Sequence, residues 1–366
     1  MMRAMKTIMT PLASARALVR STVARFARHQ LRLAMAGLFV LNGSPLQAQV
    51  YVPFNTTYSQ EDTRGGGLEI TPAAGNDDFH PASYTELLFA DEFNGDTLDR
   101  SKWCTRFSWG GGTTAPQVED PECTPFVGQG NLDFVNDEWQ RYRDVNIDGE
   151  PLHVLSNGVI ALRATKNNSN PGDLSFEGAM LRSKLNIRPE GSQRYYITAR
   201  VRLPSARGTW PMIWLAPDLD ENGVANWPPE IDILEAPVND ETETIYTLYQ
   251  HSQIHQNQTA SNQHEYTYSH PDYDTRWGFW KGSQSLREIW LEIGTEWSAN
   301  EVCYFINGIK LACENYRWVT NAGRPANKSN LLINMAVGGA WPGRNGVDVS
   351  KFPVQMELDH IRIYTR

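Results

Sequence analysis

The sequence predicts an all-β sandwich, on three observations. From Leu87 onward, short apolar runs alternate with turn residues. Runs such as 195–203 and 355–364 alternate with period two, as a half-buried strand does. No long segment carries helical periodicity, so strands follow one another without helices between them, the pattern of a sandwich.

In chain order, residues 1–48 predict a targeting segment. Arg3, Lys6, Arg16, Arg20, Arg25, Arg28 and Arg32 precede a short apolar run at 33–41, and small and polar residues lead to a cleavage-like site after Ala48. This order fits an export signal and a mature protein that is secreted or periplasmic. An Arg-rich organelle transit peptide is the rival reading, and a start codon placed too far upstream is a third. Residues 49–84 are polar, with Gly65-Gly66-Gly67, and read as an extension. Residues 85–366 are left as the folded domain. No run of 18 apolar residues occurs, so no transmembrane helix is expected.

Composition excludes some partners. The formal charge is −9, and the first 60 residues hold seven of the 33 Lys and Arg and no acid. The remainder therefore sets 26 basic residues against 42 acidic ones, net −16. Such a chain is a poor nucleic-acid binder, because phosphate contacts need clustered Lys and Arg. Twelve Trp are compatible with stacking on sugar faces, although most large rings belong to a core. Four cysteines fit export. Cys104 and Cys123 flank a Gly/Pro loop, and Cys303 and Cys313 flank the hairpin signal Asn307-Gly308. Of three possible pairings the local one joins 104 to 123 and 303 to 313, with four free thiols as the alternative.

The segment that carries chemistry is Trp227-Pro228-Pro229-Glu230-Ile231-Asp232-Ile233-Leu234-Glu235. On a regular strand Glu230 and Asp232 share one face, while Ile231, Ile233 and Glu235 share the other. A one-residue bulge near Leu234 would turn Leu234 inward and return Glu235 to the acidic face. Like charges gathered on a sheet are destabilising, so three carboxylates on one face call for a reason. Retaining glycoside hydrolysis needs two carboxyl groups roughly 5–5.5 Å apart, and a like-charged neighbour keeps one of them protonated. The α-carbons of Glu230 and Glu235 would still be about 13 Å apart at about 3.3 Å per residue, so the side chains must lean together. An exposed acidic strand and a calcium site are the alternatives.

From about Leu87 to Arg366 the chain resembles glycoside hydrolase family 16, the laminarinase-like β-glycanases. Collinear stretches carry the likeness: Asp91-Glu92-Phe93-Asn94-Gly95 with Leu98-Asp99 and Trp103; Asn136-Asp137-Glu138-Trp139-Gln140-Arg141-Tyr142; Arg182-Ser183-Lys184; Ala199-Arg200-Val201-Arg202-Leu203-Pro204; Gly208-Thr209-Trp210-Pro211-Met212-Ile213-Trp214-Leu215; the acidic segment; and 332–339 with Trp341-Pro342-Gly343. The resemblance implies a two-sheet antiparallel jelly roll with a concave substrate cleft, Glu230 as nucleophile, Glu235 as acid/base and Asp232 as their helper. The spacing resembles the bulged branch, where laminarinases, agarases and carrageenases sit. It further implies cleft positions at Trp210 and Trp214, at Asn136 and Trp139 on the other arm, and at His251 near the leaving group. No cofactor is implied for catalysis. A structural calcium is, at Glu92 and Asp359, where oxygen ligands suit that ion.

Departures from the family pattern leave the substrate open. Pro229 stands where a Gly usually precedes the first Glu, Thr198 where a Glu is common, and Ala236-Pro237-Val238-Asn239-Asp240 where many laminarinases have an aromatic-Gly stretch. The expected protein is thus a secreted, monomeric retaining endo-β-glycosidase acting on a β-1,3- or mixed-linkage glucan. The alternatives are a hydrolase of a bacterial exopolysaccharide or marine galactan, a transglycosylase, and a non-catalytic glucan-binding jelly roll.

Overall fold

A computed structural model describes residues 80–108, 123, 138–167, 175–220, 222, 229–239, 244–252, 273–281, 285–320 and 323–366, with the backbone alone for 244–252, 273–281, 309, 311, 312 and 314. The expected export signal and all but 80–84 of the expected extension lie outside these residues. In chain order the strands are β1 (Glu86–Asp91), β2 (Trp103–Cys104), β3 (Gln140–Tyr142), β4 (His153–Ser156), β5 (Val159–Lys166), β6 (Phe176–Gly178), β7 (Met180–Ile187), β8 (Arg194–Arg202), β9 (Thr209–Pro217), β10 (Glu230–Glu235), β11 (Thr244–Ser252), β12 (Tyr273–Lys281), β13 (Trp290–Ser298), β14 (Glu301–Ile306), β15 (Ile309–Asn315), β16 (Ser329–Val337) and β17 (Val354–Thr365). Among the described residues no helix is long and apolar enough to cross a membrane.

Two sheets form. One runs β12-β11-β10-β9-β16-β7-β2; the other runs β15-β14-β13-β8-β17-β5-β6-β3, with β1 on β17 and β4 on β5. Pairings are antiparallel except β3 with β6. Period two divides each strand between faces. On β9, Ile213 and Leu215 enter the large inter-sheet core, together with Leu331, Ile333, Met335 and Val337 of β16 and Ile197, Ala199 and Val201 of β8. Each such side chain contributes about 1.5–3 kcal/mol when fully buried. The alternate residues of β9 and β16, namely Trp210, Met212, Trp214, Ala216, Leu332 and Ala336, form a second cluster on the outer face of the seven-stranded sheet.

Both local disulfides are present, Cys104–Cys123 and Cys303–Cys313. The second joins directly opposed residues of β14 and β15. Their hairpin turns through Asn307 and Gly308, both at positive φ, which is the geometry that this residue pair favours. A chain-entropy view puts each bridge at about 2–4 kcal/mol. Residues 80–84 are not a detached extension. Tyr84 is buried with Tyr196, Phe305 and Tyr364 on the outside of the ten-stranded sheet, and His80 stacks on Tyr364 at 4.1 Å.

Candidate active site

The strand β10 carries the site, and a bulge decides which side chains reach it. Against β9, Asp232 faces Trp214 and Leu234 faces Ile213, so Ile233 is the extra residue. Against β11, the register slips between Asp232 and Glu235. Ile231, Ile233 and Leu234 all enter the inter-sheet core. Glu235 pairs with Met212, an outer-face residue, and so rejoins Glu230 and Asp232. The bulge that the alternation required is therefore in place, one residue wide and centred on 233–234.

Burial of these acids is unequal. Glu230 is partly exposed, whereas Asp232 and Glu235 are only 2 % and 6 % exposed. Desolvation, then the charges of Glu230 and Glu235, hold the Asp232 carboxyl well above its usual range, and it hydrogen-bonds Glu230. Desolvation, then the Glu230 charge, push Glu235 up to about 8. The Trp210 indole N–H opposes that rise, although its contact with Glu235 falls short of a regular hydrogen bond. At neutral pH the arrangement thus offers a protonated Glu235 on the same face as the partly exposed Glu230, with the Asp232 carboxyl held above its usual range beside them.

Around the acids the outer face is aromatic on one side and amide-rich on the other. Trp210 and Trp214 lie on this same face, as their spacing required. Trp210 meets Trp341 edge-on at 5.3 Å, and Trp214 meets Phe107 at 6.0 Å. The Trp214 indole N–H donates to Asn334 Oδ1 at 2.7 Å, and Asn334 Nδ2 donates to the Tyr142 hydroxyl at 2.9 Å. Tyr142 donates in turn to Glu138 Oε2 at 3.2 Å, which also accepts from Gln140 Nε2 at 2.6 Å. Burial and the Glu138 charge push the Tyr142 phenol far up, so it stays a donor. Sequence reasoning gave no role to Glu138, Gln140, Tyr142 or Asn334. The signal available was one polar residue with apolar neighbours, Asn334 between Ile333 and Met335.

The remaining expected positions divide. Asn136 lies outside the described residues. Trp139 packs partly against the inter-sheet core and lies over Gly338, where a Cβ would come within 2.3 Å of its ring and where φ is +77°. Only glycine fits there. His251 falls on β11, the neighbour of β10, opposite Asp274 of β12; only its backbone is described.

Glu92 and Asp359 do not fit a calcium held by their carboxylates. Both oxygens of Glu92 accept from Arg362, at 2.8 Å each. Asp359 sits between Arg200 at 3.2 Å and His360 at 3.1 Å. Calcium takes six to eight oxygen ligands, and here Arg362, Arg200 and His360 already hold these oxygens. Among the described residues the one group with metal-ligand spacing is Glu301, Cys303 and Cys313, and its cysteines are joined in a disulfide.

No family model matches the chain. It is 28 % identical over 301 residues to the beta-glucanase of Rhodothermus marinus, covering 79 % of this chain and 88 % of that protein. It is 23 % identical over 287 residues to the glucan endo-1,3-beta-glucosidase A1 of Niallia circulans, covering 76 % of this chain but only 37 % of that longer protein. In structure it is similar to the laminarinase of Rhodothermus marinus, with a TM-score of 0.54 and 26 % identity over 76 % of this chain and 96 % of that one. It is equally similar in fold, TM-score 0.54 at 21 % identity over 80 % of this chain and 94 % of the other, to SCLam, a non-specific endo-beta-1,3(4)-glucanase from family GH16. The chain is a two-sheet jelly roll, similar in sequence and fold to these laminarinases and glucanases, as its motifs implied.

Proposed function

We propose that this chain is an exported retaining endo-β-glucanase that cleaves β-1,3- or mixed-linkage glucan with Glu230 and Glu235. The observation that carries the reading is the bulged β10, which sets a carboxylate and a protonated carboxyl on one face beneath an aromatic wall. Glu235, still protonated at neutral pH, gives its proton to the glycosidic oxygen as the Glu230 carboxylate attacks the anomeric carbon. Departure of the first sugar leaves Glu235 ionised. It then takes a proton from water, which hydrolyses the glycosyl ester on Glu230 and regenerates both groups. Asp232 donates to Glu230, spreading its charge and fixing its orientation. The activities of these relatives support a glucan substrate, and two disulfides suit an oxidising compartment.

The test is reducing-end release by the purified protein against laminarin, lichenan, agarose, carrageenan and a bacterial exopolysaccharide. Activity on laminarin or lichenan, with retained configuration in the first product, is expected. Activity confined to agarose, carrageenan or the exopolysaccharide would replace the substrate. Inversion would replace the mechanism.

A further inference from the structure

The acidic strand is held from beneath by a residue far away in sequence. The Tyr316 hydroxyl, 86 residues on, donates to the main-chain carbonyl of Glu230 at 3.1 Å. Tyr316 is 1 % exposed and belongs to the inter-sheet core, so it reaches Glu230 from the side opposite the cleft. Its ring packs against Trp318 at 6.3 Å, and Trp318 packs against Trp297 of β13 at 4.9 Å. The Trp318 indole N–H is tied to the Asn327 carbonyl at 2.7 Å, and the Tyr316 N–H to the Asn300 carbonyl at 2.9 Å. The hydroxyl is therefore seated on an aromatic stack that belongs to the other sheet.

Glu230 is the place on the strand where such a tie matters most. It is the first residue of β10: Gln250 of β11 pairs with it on one side, but on the other the ladder to β9 begins only at the next residue, Ile231 opposite Leu215. Pro229, immediately before it, has no N–H to give. Strand ends fray where ladders stop, and a swing of the Glu230 peptide plane would swing its Cα–Cβ direction and carry the carboxylate away from the anomeric carbon. We propose that Tyr316 is a positioning residue for the Glu230 carboxylate, acting through the Glu230 main-chain carbonyl and coupling it to the opposite sheet. This rests on the reading of Glu230 as nucleophile. Burial, followed by the nearby charges of Tyr304, Glu230 and Asp232, holds the phenol far above its ordinary titration range, so the donor persists wherever the enzyme works.

The test compares the wild type with Tyr316→Phe, which removes the hydroxyl and keeps the ring. Misplacement of a reacting group by about 1 Å costs on the order of a hundredfold, and a loosened peptide plane shifts the carboxylate by less. A fall in kcat of about tenfold on laminarin, with KM within about twofold, is therefore expected. A second readout addresses Glu230 directly. With 2,4-dinitrophenyl 2-deoxy-2-fluoro-β-laminaribioside, a Glu230 oxygen displaces dinitrophenolate from the anomeric carbon. The phenolate leaves with the bonding pair, and the glycosyl ester accumulates. The labelling rate in Tyr316→Phe should fall by the same factor as kcat. Trp318→Phe keeps the hydroxyl but loosens its seat, and should show the same pattern at about two- to threefold; it stands in if Tyr316→Phe does not fold. A variant labelled at the wild-type rate, with only its melting temperature lowered, overturns the positioning role alone. A folded wild type that neither hydrolyses glucan nor is labelled at Glu230 overturns the functional reading, and this role with it.

Discussion

The outer faces of the two sheets treat buried acids in opposite ways. On the ten-stranded sheet four buried or half-buried acids each have a cation, while Glu177, raised by burial, accepts from the Ile147 N–H. Glu296 takes Arg194 at 2.7 Å, Glu292 takes His360 at 3.2 Å, Glu92 takes Arg362, and Asp359 takes Arg200 and His360. Asp359 is held below its usual range by His360 and Arg200, and His360 is raised to about 9 because the hydrogen bonds to Asp359 and Glu292 outweigh its own burial. On the seven-stranded sheet the influences on Asp232 and Glu235 are burial, neighbouring acids and one indole, with no cation among them. The first face is neutralised for stability. The second is left under electrostatic pressure, which costs stability and keeps a proton on Glu235, the usual exchange at an active site.

The contrast can be broken most sharply at Glu230. Glu230→Gln should lower turnover on laminarin by at least about a thousandfold. It should also lower the Glu235 carboxyl toward its usual range, because the Glu230 charge is one cause of its rise. Full retained activity would remove Glu230 from the chemistry. Glu235→Gln should cost about 10²–10⁴-fold on glucan, but much less on aryl glycosides whose leaving group needs no proton.

The reverse result is expected on the other face. His360→Ala strips the cation from Glu292, which is 3 % exposed and keeps only the Thr198 hydroxyl on that oxygen. Leaving a buried charge uncompensated costs about 3–5 kcal/mol, readable by urea denaturation, with kcat per folded molecule unchanged. A large fall in kcat would tie this face to catalysis after all.

A smaller effect is a shared pH trend with separable origins. Glu235 is an acid raised from 4.5 to about 8. The folded state therefore keeps a proton that the unfolded chain has lost, and stability falls as pH climbs through that window. His360 is a base raised from 6.5 to about 9. Its contribution is complete below 6.5 and is lost as pH rises through 9. Melting temperature against pH should decline across both windows. Glu235→Gln should flatten only the lower one, and His360→Ala only the upper. The alkaline limb of kcat/KM should fall near 8, as Glu235 loses its proton. The smallest shift is expected from Trp210→Phe, which removes the N–H that opposes the rise at Glu235 and should move that limb to higher pH. A move to lower pH would mean that the indole does not act on Glu235.

Some of this was legible in the chain and some was not. The sandwich, the Cys303–Cys313 hairpin and the facing of Trp210 with Trp214 follow from period two and turn chemistry, which are local. The bulge was legible as a contradiction: Glu235 had the wrong parity for the acidic face, and one extra residue is the least change that resolves it. The network Trp214–Asn334–Tyr142–Glu138 was not legible as a network, because its members lie up to 196 positions apart and only the pairing of distant strands brings them together. The expected calcium shows the same limit from the other side. Glu92 and Asp359 have ligand chemistry, but Arg362 and Arg200 reach them only through the pairing of β17 with β1 and β8.

The sequence by itself therefore determined which atoms can do chemistry: three carboxylates on one strand, with the spacing that demands a bulge. Only the tertiary structure decided their protonation and posture. A carboxyl moves to about 8 because the fold takes it out of water beside another acid. The Glu230 peptide is held because Tyr316 crosses from the opposite sheet. Desolvation and long-range hydrogen bonds exist only once the sheets have closed on each other, and no window of the sequence contains them.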